Sequence, residues 1–225
     1  MRHKHLEEKL EKLIEKYSTT GQDISSYLEG LLYSDYLSYW DYINLDTLLT
    51  LQSPKTDFPD ENIFIIYHQI TELYFKLIIE ELKQISNNGK VIKDNGKDLG
   101  WNKKLSFNFL KERLERIIRY MNILINSFDV MIEGMNKPEF TKFRMSLLPG
   151  SGFQSAQFRT IEIYSTPFNN LSLNKKSPKL TGNFIDSFYW SKGATEKDSG
   201  KKTYTLTQFQ KKYSLELTSL TKNVK

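Results

Sequence analysis

Cysteine is absent from the 225 residues, which removes disulfides, thiolate metal sites and cysteine nucleophiles together. Histidine is scarce, occurring only as His3, His5 and His68. Without cysteine or a partner histidine outside the terminal arm, no zinc site of ordinary composition is expected. A Ser-His-Asp hydrolase would have to be built around His68. No run of about 18 uncharged apolar residues occurs. The opening stretch MRHKHLEEKLEKLIEK alternates charge and lacks the apolar centre of a signal peptide. No membrane span is expected, and the chain is placed in the cytoplasm.

The formal net charge of +5 raises the question of nucleic acid, and its distribution answers it. Residues 171–225 hold 11 Lys against 4 Asp or Glu, whereas residues 1–170 hold 21 basic and 23 acidic residues. The basic excess lies in a polar segment with few aromatics among its lysines. It reads as a solvated surface and not as a phosphate-binding face, so no nucleic-acid partner is expected.

What is present is helical periodicity. Ile63, Phe64, Ile66, Tyr67, Ile70, Leu73, Leu77, Ile78, Leu82 and Ile85 recur at helical spacing, in a band wide enough to predict that most of this helix is buried. DFPDEN supplies its start and SNNGK its end. A second long helix is expected from about Phe107 to Met135. A shorter one should follow Pro138, then a break at PGSGFQS, then helix again in AQFRTIEIY. Residues 166–200 are polar and rich in turn formers. TLTQFQKKYSLELTSLTK reads as a last helix capped by Thr205 or Thr207. No strand pattern stands out. The expected fold is mainly α, a single domain with an N-terminal segment 1–60, core helices 61–165 and a polar insertion and last helix 166–225.

Two pairs of residues suggest chemistry. Phe64 and His68 stand four apart, so an aromatic ring and an imidazole share one helix face, and Phe140 and Arg144 repeat the arrangement with a guanidinium. Facing each other, the pairs would enclose an aromatic-walled pocket with one neutral polar group and one fixed cation. Such a pocket suits an aromatic amino acid, with Arg144 on its carboxylate and His68 on a ring nitrogen. Each residue also has a structural reading. His68 can be a hydrogen-bonded core histidine, and Arg144 can pair with Glu139 or Glu162.

YWDYINLDTLLTLQ, DENIFIIYHQITELYFKLIIEEL, FTKFR and PGSGFQSAQFR, in this order and spacing, resemble the tryptophan 2,3-dioxygenases over roughly residues 33–165. These are haem enzymes that insert both atoms of dioxygen into the indole 2,3-bond of L-tryptophan to give N-formylkynurenine. The resemblance implies a helical bundle of the tryptophan/indoleamine 2,3-dioxygenase type. It makes His68 the distal histidine that accepts the indole N–H, and it places Phe64, Ile65, Ile66, Tyr67, Phe140 and Arg144 at the substrate, with Arg144 as carboxylate clamp. Ser151 and Gly152 match the small residues over the distal haem face. Tyr39, Tyr42 and Ile43 match residues that reach into a neighbouring subunit, which implies a homo-oligomer, expected as a tetramer.

Tyr67, Thr71, Tyr74 and Gly150 depart from the usual residues of the family. A larger departure is that the family holds haem b iron through a proximal histidine in a C-terminal helical region, whereas no histidine follows His68 here. No metal ligand is therefore assigned in this chain. The expectation is a C-terminally truncated portion of such an enzyme. A haem-free binder of indole or aromatic amino acids, and a helical assembly protein derived from the same fold, are the alternatives.

Overall fold

A computed structural model describes residues 2–19, 21, 23–34, 38–87, 90–92, 98–101, 104–145, 154–173, 184–195 and 200–223. These residues divide into two compact units, Met1–Leu51 and Gln52–Lys225. The division falls within the segment 1–60 set apart by sequence.

In the first unit, helices α1 (Arg2–Ser18) and α2 (Ile24–Tyr33) pack with Tyr17 and Tyr27 ring to ring at 5.0 Å. Asp23 starts α2 by accepting the Ser25 N–H, one of the donors that a helix start leaves unpaired. Two single turns follow, α3 (Tyr39–Tyr42) and α4 (Leu45–Leu48). They meet at Asn44, which takes a left-handed backbone (φ 52°) that asparagine tolerates better than most residues.

The second unit is built on α5 (Asp60–Asn87). A short antiparallel pair, β1 (Lys90–Ile92) and β2 (Asp98–Trp101), leads to α6 (Phe107–Ser127). Then come α7 (Asp129–Ile132), α8 (Lys137–Phe143), α9 (Ala156–Ser165), α10 (Phe168–Leu171) and α11 (Tyr204–Asn223). Two 3₁₀ segments, Phe184–Ser187 and Tyr189–Ala194, precede α11. One core joins Ile78 and Ile79 of α5 to Leu124 of α6 and Ile161 of α9. Another gathers Ile163, Leu171, Ile185, Phe188, Trp190, Leu206, Phe209 and Leu217 beneath α11. Among the described residues no helix is long and apolar enough to cross a membrane.

The mainly α fold is as expected, with corrections of detail. The hairpin at 90–101 was not legible, because its strands are three and four residues long, too short to show alternation. The second long helix ends at Ser127 instead of near Met135. At Phe128 the backbone N–H bonds Ile125 O, one residue short of the α-helical partner, and a separate turn begins. The last helix is capped by Thr203, whose hydroxyl accepts the Leu206 N–H, not by Thr205 or Thr207. The polar-looking stretch 166–200 supplies core residues in 3₁₀ turns, which carry no α period to read.

The strongest correction concerns α5. Ile66, Ile70, Leu73 and Leu77 form a stripe that is 43–50% exposed, so the helix is not mostly buried within this chain. Its two faces do different things. Ile78 and Ile79 enter the core, while the Ile66–Leu77 stripe stays about half exposed among the described residues.

The start of α5 is set by a buried carboxylate. Glu61, 1% exposed, accepts the backbone N–H of Lys55 and of Thr56 at 2.7 Å each, and the Thr56 hydroxyl. Burial pushes its pKa up, but the Thr56 hydroxyl and the two backbone donors outweigh that and hold the group below the ordinary carboxylate value. A carboxylate depressed in the folded state contributes stability above its unfolded pKa and loses it as pH falls through the folded value. Glu61→Ala is therefore expected to lower stability by about 2 kcal/mol at neutral pH. In urea melts the gap to wild type should close as the pH is taken down through and below the ordinary carboxylate range.

Candidate functional site

The candidate site is built where α5 and α8 begin. Both helices start with an acceptor in place. Asn136 caps α8 with its side-chain oxygen on the Glu139 N–H, and Pro138 sits in the first turn, where its missing N–H costs nothing. Beyond these starts lie the two pairs, Phe64 and His68 on α5, Phe140 and Arg144 at the end of α8.

The rings form a chain of contacts. Phe64 lies 4.1 Å from the His68 ring and 6.2 Å from Phe140. The Arg144 guanidinium stands 5.8 Å from the centre of the Phe140 ring. Phe143, fully buried, meets Phe64 at 6.0 Å and Phe140 edge-on at 5.4 Å, and so holds the two helices' aromatics together. Sequence reading passed over Phe143, although its three-residue offset from Phe140 in FTKF is a helical signal.

His68 is exposed, not a core residue, and its Nδ1 lies 2.7 Å from the Phe64 carbonyl oxygen. A carbonyl can only accept, so Nδ1 is assigned the proton, and in the neutral ring Nε2 is left as an acceptor facing outward. Arg144 is exposed and makes no ion pair with a carboxylate among the described residues. Of the two partners considered from sequence, Glu162 is taken by Arg159 at 2.7 Å and by the Tyr189 hydroxyl at 2.5 Å, and Glu139 forms no bridge to Arg144. The buried Arg159 has a structural role, and Arg144 is the contrasting case.

The remaining residues separate. Tyr67 turns away from Phe64, burying its ring edge-on to His68 and against Phe128, with its hydroxyl 3.4 Å from the Ser127 hydroxyl of α6. Ile66 belongs to the exposed stripe and Ile65 is half-buried, as five consecutive helical residues cannot share one face. Tyr39 and Tyr42 are 72% and 75% exposed in the first unit, and Ile43 caps α3 there. Ser151 and Gly152 lie outside the described residues. A separate groove of about 590 Å³, lined by Glu72, Lys76, Lys83, Gln157, Tyr213 and Glu216 among others, lies elsewhere on α5 and holds none of the site residues.

The described residues thus make a mainly helical protein in which Phe64, Phe140 and Phe143 join an exposed imidazole to an exposed guanidinium. The chain belongs to the tryptophan 2,3-dioxygenase family, whose model matches residues 26–217. It is 38% identical over 130 residues to a tryptophan 2,3-dioxygenase of Polaromonas naphthalenivorans, covering 58% of this chain and 41% of that protein. To a tryptophan 2,3-dioxygenase of Bacillus thuringiensis it is 34% identical over 151 residues, covering 66% and 49%. The chain spans less than half the length of these curated relatives.

The haem that this family implies can be tested against the donors in place. Haem iron needs an axial protein ligand, most often an imidazole or thiolate. There is no cysteine, His3 and His5 belong to α1 of the first unit, and in the second unit His68 is the single imidazole. One Nε2 cannot both hold iron and accept a substrate N–H. The described residues therefore do not make a complete haem centre.

Accessibility separates the arginines chemically. Phenylglyoxal is expected to modify Arg144 well before Arg159, which is 5% exposed, as read by peptide mass mapping over a time course.

Proposed function

We propose that this chain carries the L-tryptophan-binding side of an enzyme that opens the indole 2,3-bond with dioxygen to give N-formylkynurenine. In that reaction the C2–C3 bond breaks and both oxygen atoms enter the product. The observation that carries the reading is the Nδ1 contact of His68 to its own helix, which leaves Nε2 to accept the indole N–H. The Arg144 guanidinium, with no carboxylate partner among the described residues, receives the substrate carboxylate through paired N–H donors. Phe64 and Phe140 supply the apolar walls that desolvate the indole. Haem b and dioxygen are the co-reactants that the family resemblance implies.

Calorimetric titration of the chain with L-tryptophan tests this. Arg144→Ala should weaken binding by about 10- to 100-fold, the worth of a charge-assisted pair, and His68→Ala by about fivefold, the worth of one neutral hydrogen bond. In the haem-loaded enzyme both variants should lower N-formylkynurenine formation. An Arg144→Ala protein that bound L-tryptophan as well as wild type would sink the reading.

The same reading includes self-association into a homo-oligomer, proposed as a tetramer. It is supported by the apolar surface of the first unit, where Leu6, Leu31, Leu32, Tyr33, Tyr39 and Tyr42 are each 67–82% exposed. Contiguous apolar surface of that kind is unusual on a monomer. Light scattering should give a mass that is a multiple of the monomer's, and Leu31→Glu with Leu32→Glu should reduce it.

A further inference from the structure

We infer that Asp60 is a positioning residue that sets the reach of Arg144 toward a substrate carboxylate. This rests on the reading of the site proposed above. Asp60 is the first residue of α5, and its Oδ2 accepts the backbone N–H of Asn136, the N-cap of α8, at 2.5 Å. That N–H lies outside the α8 ladder and has no helical partner, so an ionised carboxylate is a strong acceptor for it. The bond pins the start of one helix to the start of the other.

The consequence lies in the spacing. Phe64 and His68 stand four and eight residues beyond Asp60, and Phe140 and Arg144 stand four and eight beyond Asn136. Fixing the two starts side by side thus brings the four site residues level, one turn and two turns above the joint. The aromatic contacts among Phe64, Phe140 and Phe143 cannot do this alone, because apolar packing is largely non-directional and α8 has only seven residues with which to resist sliding. The approach to Asn136 is held from its other side as well. A Cβ at Gly134 would lie 2.4 Å from the Val130 carbonyl oxygen, so only glycine lets the chain turn this closely out of α7.

The test compares L-tryptophan with tryptamine, which carries the same indole and no carboxylate, by calorimetry on the 225-residue chain. Asp60→Ala should weaken L-tryptophan about tenfold and tryptamine by clearly less, about threefold or below, since both ligands use the aromatic wall and only L-tryptophan also uses Arg144. Asp60→Asn keeps a neutral acceptor about half as strong and should cost about threefold on L-tryptophan alone. It carries the comparison by itself if the alanine variant does not fold. The Asp60→Ala, Arg144→Ala double variant should bind L-tryptophan no more weakly than Arg144→Ala. Equal losses for both ligands, or additive losses in the double variant, would make Asp60 a merely structural residue and overturn the inference. So would an Asp60 variant unchanged in L-tryptophan affinity where Arg144→Ala is impaired, and in that case the site reading would stand. If Arg144→Ala has no effect, or the unsubstituted chain binds no L-tryptophan, the site reading itself fails and takes the inference with it.

Discussion

Ile78 and Ile79 of α5, packed on Leu124 of α6 and Ile161 of α9, form the contact on which the larger unit depends. A 28-residue helix is long enough to touch several neighbours, but its apolar residues face different ways, and Ile78 and Ile79, with Tyr74, Phe75 and Leu82 packed beside them, are the ones that enter this core. Helix α9 then passes the constraint on. Ile161 faces the α5–α6 core and Ile163, two residues later and so on the opposite side, faces the core under α11. One short helix thus couples two cores, with Gln157 fixing its start by donating to the Glu72 carbonyl and carboxylate of α5.

Buried carboxylates mark both ends of α5 and differ in kind. At the start, Glu61 is satisfied by neutral backbone and hydroxyl donors of the preceding loop. Toward the end, Glu81 is satisfied by two cations of α6, Arg113 at 3.1 Å and Arg116 at 3.3 Å. The first shapes a loop and the second ties two helices. Arg159 and Glu162 make a further buried pair beneath Tyr189. Arg144, by contrast, is exposed and has no carboxylate partner among the described residues.

Much apolar surface faces outward. The stripe Ile66, Ile70, Leu73 and Leu77 on α5 has a counterpart in Leu114, Ile118 and Ile125 on α6, each at helical spacing. The periodicity that announces these helices in the sequence is therefore not used up by the packing among the described residues. The same holds for α1 and α2 in the first unit. Helical period reports that a face is apolar; it carries no information on which surface covers that face.

The sequence by itself determined the mainly α class, the extents of α5 and α9 to within a few residues, and the pairing of Phe64 with His68 and of Phe140 with Arg144. These follow from the period of the helix, a local property. The chemistry open to the chain was also set by composition, since the absence of cysteine and the single histidine of the second unit need no fold to be counted. Only the tertiary structure decided that Tyr189 joins the Arg159–Glu162 pair, because that contact brings a 3₁₀ turn onto α9, whereas the pair itself is three residues apart on one helix. It alone decided that Phe188, extended between two 3₁₀ segments, and Trp190, within the second, are core residues, since neither setting carries an α period. It also decided the bond from Asp60 to Asn136, a contact between residues 76 apart in the chain, which no local pattern can encode.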